Sequence, residues 1–373
     1  MTPFPTSHVP EDDLPHLIIA SGGNAGLAAA SAAGILGVKC TVFVPDAQKG
    51  IEHLFTRHGK EGSVNVVVGG ENYRAALMKA VEFKEEIGDK GYSLVPAYDD
   101  PLVWQGNSSL AHEIAEQLPD GVKPDAIFCS VGGGGMIAGL MLGCEGIPGW
   151  NQVPIVAIEP TGSACFYHSV QLNRTGRTST ELPAGASISN ERIPHPFAGT
   201  LTPYASNSPY NGGDDMCDVS MVHLPSINSY ATSLGASTAS NGSVCMALKR
   251  DGPISVVRVS DERSMQSALL FADDHSVITE LACSITLTPA YVPHLARRVL
   301  RLDSDSGSGA LTQQSNVTGH DRSPKARKVL VFIVCGGSKG SLHDLQRFEE
   351  HLSSFDFAGD DIWVDGERLT GSH

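Results

Sequence analysis

The sequence predicts an α/β fold with open, mainly parallel sheets covered by helices. Short apolar strands alternate with helices along much of the chain. The strands show no polar alternation, which is typical of parallel sheets buried on both faces. A strand, a glycine-rich turn and a helix also follow one another three times, at 17–36, 126–144 and 329–352. Ligands of open α/β sheets bind outside the carboxyl ends of the strands, so these three turns are candidate parts of one site.

The first part of the chain predicts a small α/β domain over 14–98, preceded by a polar, proline-rich and loose segment at 1–13. Gly37 is predicted to end the first helix, and Pro45 the second strand. The predicted elements are strands at 17–20, 40–44, 64–68 and 93–95 and helices at 27–36, 50–58 and 73–87.

The second part predicts a large α/β domain over 99–353, followed by a tail at 354–373. Two segments inside it have no sustained period and are predicted to be irregular insertions, 172–223 and 302–326. Besides the unit at 126–144, the predicted elements are strands at 153–158, 254–259 and 329–334 and helices at 110–117, 262–274, 280–300 and 342–352.

Charge and cysteine usage limit the class of protein. The chain has 26 Lys+Arg against 41 Asp+Glu, a formal net charge of -15, which argues against nucleic acid or an anionic membrane as partner. No signal peptide or membrane-spanning run is visible in the sequence. The cysteines form no CxxC pair, so we expect reduced, mostly buried thiols in a cytoplasmic protein rather than a disulfide or zinc framework. They are Cys40, Cys129, Cys144, Cys165, Cys217, Cys245, Cys283 and Cys335.

The glycine run at 132–135 is the strongest local signal. It follows an apolar strand and precedes an apolar helix. Glycines leave backbone N–H groups uncovered, and a helix begins with unpaired N–H donors and a partial positive charge. The run therefore predicts a phosphate cradle. The alternative is a tight turn under a close contact between helix and strand.

Three motifs together resemble one family. SGGNAG at 21–26, SVGGGG at 130–135 and VCGGS at 334–338 resemble the serine/threonine dehydratases, pyridoxal-phosphate enzymes of fold type II with a tryptophan synthase β-like fold. The segments at 96–114, 155–162, 224–236 and 278–287 resemble the same family. Cys335 stands where the fungal and animal catabolic L-serine dehydratases carry Cys and other members carry Ser. Cysteine synthase and threonine synthase match less well at Cys335 and at 224–236.

The resemblance assigns binding roles to residues of all three motifs. It implies that Asn24 hydrogen-bonds the 3′-oxygen of the pyridine ring and that Cys335 faces the ring nitrogen. Taken alone, Asn24 could be a helix cap and Cys335 a small buried hydrophobe. The implied cofactor-binding residues are Asn24, Gly132, Gly133, Gly134, Gly135, Met136 and Cys335, and the implied substrate-binding residues are Ser21, Gly22, Gly23 and Asn24.

A monovalent cation, K⁺, is implied by the same resemblance. Its ligands would be Glu159 and backbone oxygens, and hard oxygen ligands suit such an ion. At the end of a strand, Glu159 could also be a solvated or hydrogen-bonded carboxylate. The implied ligand set is Gly132, Glu159, Ser163, Leu234 and Ala236.

The match fails at the family's Schiff-base lysine, which lies in an SFKxRG-like segment ahead of the asparagine motif. Only 23 residues precede Asn24, and the first lysine of the chain is Lys39. Lys339 follows the Cys335 loop, but it is expected on the ring-nitrogen side and is a poor replacement. That lysine acts as both nucleophile and base, so no catalytic residue is assigned and a truncated, impaired enzyme is expected.

Two functions follow from these observations. The first is an L-serine and L-threonine dehydratase-like lyase of amino-acid metabolism and gluconeogenesis, giving pyruvate or 2-oxobutanoate and ammonia, with little or no activity in this chain. The second is an inactive pseudoenzyme that binds pyridoxal phosphate or an amino acid. For either function, we expect the protein to bind a small amino acid and to bind neither nucleic acid nor a membrane. We expect it to assemble as a homodimer.

Overall fold

The computed structural model describes residues 14–46, 52–57, 62–71, 73–88, 91–175, 182–194, 216–301, 327–357 and 361–369. The chain divides into two compact units between Val103 and Trp104. Each unit is built around its own sheet, and each is described by itself.

Unit 1 contains a four-stranded parallel sheet in the order β3-β2-β1-β4. Successive residues of β1 point to opposite faces: Ile19 packs in the cluster that contains α1, and Ile18 in the cluster that contains α3. Both faces of the sheet are therefore covered. The elements are β1 (His16–Ala20), α1 (Asn24–Leu36), β2 (Lys39–Val44), α2 (Glu52–Thr56), β3 (Val64–Val68), α3 (Tyr73–Ile87) and β4 (Tyr92–Leu94).

Unit 2 contains a six-stranded sheet in the order β10-β5-β6-β9-β11-β12. The first four strands are parallel, and the last two are antiparallel. The predicted fold class, with two open, mainly parallel sheets and covering helices, is confirmed. Up to α9, the elements are α4 (Pro101–Asn107), α5 (Ser109–Gln117), β5 (Ala126–Ser130), α6 (Gly135–Gly146), β6 (Ile155–Pro160), α7 (Cys165–Thr175), β7 (Ser187–Pro194), β8 (Met216–His223), α8 (Asn241–Lys249), β9 (Ile254–Val259) and α9 (Asp261–His275).

The remaining elements of unit 2 are short, apart from one amphipathic helix. They are α10 (Leu281–Ser284), α11 (Thr288–Tyr291), α12 (Pro293–Val299), β10 (Leu330–Phe332), α13 (Leu342–Leu352), β11 (Trp363–Val364) and β12 (Glu367–Arg368). The single helix predicted over 280–300 is wrong. Pro289 is the second residue of α11 and Pro293 is the first residue of α12, because proline has no N–H group to continue a preceding helix.

Helix α6 occupies the centre of unit 2. Nearly all of its side chains are buried, so it is apolar on every side. A Cβ atom at Gly139 would lie 2.3 Å from Asn107 Cβ, and one at Gly143 would lie 2.4 Å from the Ser108 carbonyl oxygen. These glycines let α6 approach the backbone between α4 and α5, which packs α6 closely against those two helices.

The two C-terminal strands correct the predicted tail at 354–373. Strand β11 pairs antiparallel with β9, and Asp365 Oδ1 accepts the Val256 N–H at 2.9 Å. Asp365 and Gly366 both have positive φ, 50° and 87°, and join β11 to β12. An Asp-Gly pair is a strong hairpin signal, but the strands on either side are only two residues long and show no pattern of their own in the sequence.

The segment 172–223 is also more regular than predicted where it is described. Helix α7 runs on to Thr175, and β7 pairs with β8 over eight residues in an antiparallel ladder. Asn173 ties the helix to this ladder, since its Nδ2 donates to the Ser220 carbonyl oxygen at 2.8 Å and its Oδ1 accepts the Ser220 N–H at 2.9 Å. The insertion at 302–326 lies outside the described residues.

The cysteines differ in part from the expectation of reduced thiols. Cys217 on β8 and Cys245 on α8 form a disulfide. The reason is tertiary: the strand and the helix meet in the core of unit 2, a contact that sequence spacing does not reveal. Five of the other cysteines are buried and free, and Cys335 is exposed and free. Within the described part of the chain, no helix is long and apolar enough to cross a membrane.

Candidate cofactor-binding site

The glycine run lies between β5 and α6, at the carboxyl end of a central strand. Gly134 is the N-cap of α6 and has a φ of 97°, and no side chain caps the helix. A Cβ atom at Gly134 would lie 2.4 Å from Ser243 Oγ, so only glycine fits there. The Gly133 carbonyl oxygen accepts the Ser240 N–H at 2.8 Å, which holds the turn against the start of α8. The first N–H groups of α6 are available for an anion.

Cys335 lies beside this cradle. Its Sγ is 3.6 Å from Sδ of Met136, the second residue of α6. The structure thus brings two of the three glycine motifs together within unit 2. Cys335 is exposed, which argues against the alternative that it is a small buried hydrophobe.

The third motif forms a tight turn in unit 1. Ser21 Oγ accepts the Gly23 N–H at 3.2 Å, and the Ser21 N–H donates to the Phe43 carbonyl oxygen at 3.0 Å. Gly26 is required here because its Cβ would lie 2.3 Å from the Ser21 carbonyl oxygen. The N-cap of α1 is Gly23, and Asn24 is the first helical residue. Asn24 therefore does not occupy the cap position that its alternative interpretation requires.

Glu159 is the last residue but one of β6 and is 0% exposed, so it is not a solvated carboxylate. Its carboxylate accepts the Phe166 N–H at 3.0 Å and the Tyr167 N–H at 2.5 Å, which caps the first turn of α7. Burial raises the pKa of Glu159 well above its ordinary value, and the two hydrogen bonds oppose that shift only in part. Because burial makes the negative charge of this carboxylate costly, a bound cation would stabilise it.

Other members of the implied cation set lie near one another. A Cβ atom at Gly132 would lie 3.0 Å from Leu234 Cα. The Gly132 carbonyl oxygen accepts the Cys165 thiol at 3.7 Å, and the Leu234 carbonyl oxygen accepts the Ala236 N–H at 2.8 Å. Ser163 Oγ is buried and has no hydrogen-bond partner among the residues that the structure describes. Among the described residues, no group of three or more His, Cys, Asp or Glu side chains could hold a metal ion, so backbone oxygens would supply most ligands.

Lys339 lines a different space. A cavity of about 530 Å³ separates the 230–233 segment from α13, and Lys339 lies on its wall next to Glu280. Burial lowers the pKa of Lys339, and the nearby Glu280 carboxylate opposes the change. The described residues that line this cavity do not include Gly132–Gly135 or Met136. Whether Lys339 can replace the family's lysine stays a prediction.

Several residues that shape the site were not identified from the sequence. Ser240 and Ser243 support the glycine turn, and Cys283 accepts the Gly336 N–H through Sγ at 3.2 Å. Ser240 could have been found as a helix cap, because its Oγ accepts the Ser243 N–H. Cys283 had no comparable local signal, since its contact with the Cys335 loop exists only in the folded chain.

A comparison with family models matches residues 8–305 to "Pyridoxal-phosphate dependent enzyme". The L-serine dehydratase/L-threonine deaminase of Homo sapiens is 30% identical over 339 residues, which cover 90% of this chain and 80% of that protein. The L-serine dehydratase of Dictyostelium discoideum is 30% identical over 335 residues, which cover 88% of this chain and 73% of that protein.

Solved structures show the same fold. A fungal L-serine ammonia-lyase from Rhizomucor miehei superposes with a TM-score of 0.62 at 24% identity, covering 91% of this chain and 83% of that one. The processed form of threonine deaminase isoform 2 from Solanum lycopersicum gives a TM-score of 0.61 at 18% identity, covering 94% of this chain and 77% of that one.

Proposed function

Because the chain belongs to the pyridoxal-phosphate-dependent enzyme family, we propose that it is a serine/threonine dehydratase-type protein that holds this cofactor in unit 2. The observation that supports the proposal is the 3.6 Å contact between Cys335 Sγ and Met136 Sδ. It joins a phosphate cradle to the cysteine expected at the ring nitrogen. The cradle fits a phosphate because the N-cap of α6 is a glycine and no described side chain caps the helix, which leaves the first N–H groups of α6 for an anion.

The cradle residues have distinct tasks in this proposal. The N–H groups at the start of α6, from Gly135 onward, would donate to the phosphate, and the positive end of the helix would favour its charge. Gly132 and Gly133 would let the phosphate approach the backbone. When bound, the cofactor supplies an electron-withdrawing ring that makes the α-proton of an attached amino acid acidic.

Cys335 would contact the ring nitrogen but would not keep a positive charge on that nitrogen. A thiol is a weak hydrogen-bond donor, so it would not hold a proton on that nitrogen as a carboxylate would. A ring that withdraws electrons less strongly favours β-elimination over reactions that need a long-lived carbanion. The substrate class is therefore a β-hydroxy amino acid, L-serine first and L-threonine second, giving pyruvate or 2-oxobutanoate and ammonia.

The loop Ser21–Asn24 would bind the substrate carboxylate. Gly22 and Gly23 expose backbone N–H groups, and Ser21 adds a hydroxyl that in the structure accepts the Gly23 N–H. Carboxylates are bound well by several N–H donors at the start of a helix, and α1 begins at Asn24.

Elimination would need a lysine amine that holds the cofactor and takes up the α-proton of the substrate. None of the lysines in the sequence lies in a segment that resembles SFKxRG. We therefore expect residues 1–373 to bind pyridoxal phosphate weakly and without a covalent bond, and to turn over serine little or not at all. The second candidate function is a protein that binds the cofactor or an amino acid without catalysis.

A bound K⁺ at Glu159 is the second part of the proposal. The buried carboxylate and the unpartnered Ser163 hydroxyl support it, and carbonyl oxygens of Gly132, Leu234 and Ala236 would complete the ligand set. Such an ion would hold the turn at 232–236 against the cradle, because Leu234 and Gly132 are in contact. A cytoplasmic homodimer completes the proposal.

The decisive experiment is a spectroscopic titration with pyridoxal phosphate beside a serine-dependent pyruvate assay. We expect reversible binding and no pyruvate above background. Borohydride treatment followed by peptide mapping should leave every lysine free of a pyridoxyl group. A single lysine modified at full occupancy would show that a covalent site exists. We would then expect full dehydratase activity.

A matched pair of variants tests the cradle itself. Gly133→Asp places an anion where the phosphate should lie, and Gly121→Asp places one on an exposed turn with open space around it. We expect the first to abolish cofactor binding and the second to leave it unchanged. If the two variants bound pyridoxal phosphate with equal affinity, the assignment of the phosphate cradle would be wrong.

A further inference from the structure

Cys335 has a second sulfur neighbour besides Met136. Its thiol interacts with the thiol of Cys283, which lies on α10 and is 5% exposed. The next residue, Gly336, donates its N–H to Cys283 Sγ at 3.2 Å. One cysteine is exposed and the other is buried directly behind it.

The backbone holds these two cysteines in register. The Glu280 N–H donates to the Gly336 carbonyl oxygen at 2.8 Å, which attaches the Cys335 loop to the start of α10. Gly336 and Gly337 both have positive φ, 77° and 84°, and fold the loop back over that helix. The sulfur contact thus belongs to a fixed turn, so the thiols stay together without a large backbone movement.

The interaction between the two thiols also shifts their pKa values in opposite directions. The Cys283 thiol lowers the pKa of Cys335 to about 7, against the opposing effects of burial and of the Glu280 carboxylate. The pKa of Cys283 is raised by its interaction with Cys335 and by burial. Cys129, on β5, is the other thiol that faces Cys335, and burial raises its pKa. Of the two thiols, Cys335 is therefore the one that ionises near neutral pH, and Cys283 retains its proton.

We propose that Cys335 and Cys283 form an oxidisable dithiol at the edge of the cofactor cradle, with Cys335 as the attacking sulfur and Cys283 as the resolving sulfur. The reactant is a small hydroperoxide, because an exposed thiolate with a thiol beside it matches the arrangement of cysteines that react with peroxides. The dithiol does not depend on the proposed function, since both sulfurs lie in unit 2 and need no cofactor to react.

The reaction has two steps. The Cys335 thiolate attacks one peroxide oxygen, the O–O bond breaks, Cys335 becomes a sulfenic acid and the alkoxide or hydroxide that leaves takes a proton from water. The Cys283 sulfur then attacks the Cys335 sulfur, a disulfide forms and water leaves with the sulfenic oxygen and the Cys283 proton. Two thiols are oxidised by two electrons, and one peroxide is reduced to an alcohol, or to water, plus one further water. The product has no thiol at the position proposed for the ring nitrogen.

The test treats the full chain, free of cofactor, with one equivalent of hydrogen peroxide and maps its peptides without reduction. We expect a new peptide that joins Cys283 to Cys335 and that dithiothreitol removes. The disulfide between Cys217 and Cys245 should be present before and after treatment and serves as an internal reference. Cys335 oxidised to sulfinic acid with Cys283 still free would overturn the proposal.

Two substitutions separate the two roles of Cys283. Cys283→Ala removes both donor and resolving sulfur, so the pH midpoint for alkylation of Cys335 by iodoacetamide should rise from about 7 toward that of an ordinary thiol. Alkylation at pH 7 should slow about five- to tenfold, since a more basic thiolate is scarcer but more nucleophilic. Cys283→Ser keeps a donor but cannot resolve, so a Cys335 sulfenic acid should accumulate and react with dimedone.

Cys144→Ala is the matched control, because Cys144 is also a buried free thiol but lies within α6. It should give the same disulfide and the same alkylation midpoint as the parent chain. Far-ultraviolet circular dichroism verifies that each variant is folded. An unchanged alkylation midpoint in folded Cys283→Ala would show that the two thiols do not interact, and the proposal would fail.

Discussion

Cys335 Sγ and Met136 Sδ lie 3.6 Å apart, although nearly two hundred residues separate them in the sequence. This contact places the thiol next to the first turn of α6, where the phosphate of the proposed cofactor would bind. A pyridine ring that extends from that phosphate toward Cys335 would cover the thiol.

Pyridoxal phosphate should therefore protect Cys335 from iodoacetamide, slowing its alkylation at least tenfold when the cofactor saturates the site. Cys335 is the exposed free cysteine among those described, so mass spectrometry can follow it directly. Inorganic phosphate is the control, because it occupies the cradle without a ring and should leave the rate unchanged. Equal rates with saturating pyridoxal phosphate and with buffer would separate Cys335 from the cofactor site.

Gly134→Ala should destabilise the protein more than Gly121→Ala does. Both positions have positive φ, 97° and 75°, so both variants should lose about 1–2 kcal/mol from backbone strain. Only at Gly134 would the new Cβ meet a neighbour, Ser243 Oγ at 2.4 Å, and that hydroxyl is already bonded to the Ser240 carbonyl oxygen. Overpacking should add about 1–3 kcal/mol. Urea unfolding measures the difference between the two variants. Equal losses in the free energy of unfolding would mean that α8 moves away from this turn at no cost.

The glycine motifs were predictable because they are local. A strand that ends in consecutive glycines ahead of an apolar run defines a turn whatever the rest of the chain does, and β5 and α6 lie where the sequence placed them. The contacts of Cys335 with Met136 and Cys283 were not predictable in this way. They depend on β10 pairing with β5 and on α10 packing behind the loop, which no period in the sequence encodes.

Glu159 shows a second limit of sequence reasoning. Its place at the end of β6 was apparent from the apolar run before it, but its complete burial was not. Burial follows from the start of α7 folding back so that the Phe166 and Tyr167 N–H groups reach the carboxylate. A motif can thus identify the residue, whereas the three-dimensional packing determines its charge.

His168 should make stability depend on pH between about 4 and 6.5. It is buried, and burial together with the Arg258 charge lowers its pKa from 6.5 to about 4. Above pH 6.5 the His168 side chain is neutral in both the folded and the unfolded state. As the pH falls from 6.5 toward 4, the unfolded state binds a proton that the folded state does not, so the free energy of unfolding falls.

The loss attributable to His168 should approach about 3 kcal/mol near pH 4, because a tenfold difference in proton affinity between the two states corresponds to about 1.4 kcal/mol. Carboxylates also titrate in the lower part of this range, so the comparison is with His168→Leu, which cannot bind the proton. Urea unfolding at pH 7.5 and pH 5 should show a smaller decrease for the variant than for the parent chain. Identical decreases would mean that His168 is protonated in the folded protein.

K⁺ should stabilise the protein through Glu159, because a cation would offset the cost of keeping that carboxylate charged in a buried position. Replacing tetramethylammonium by K⁺ at equal ionic strength should raise the free energy of unfolding by about 1–3 kcal/mol, if K⁺ is present at ten to a hundred times its Kd. Glu159→Gln should lower stability in both salts, because an amide is a poorer partner for the Phe166 and Tyr167 N–H groups, and should abolish the difference between the salts. Asp125→Asn is the control: Asp125 also accepts a backbone N–H, from Val329 at 2.8 Å, but lies outside the proposed ligand set, so its K⁺ increment should match that of the parent chain. A K⁺ increment that survives in Glu159→Gln would place the cation elsewhere or make the effect non-specific.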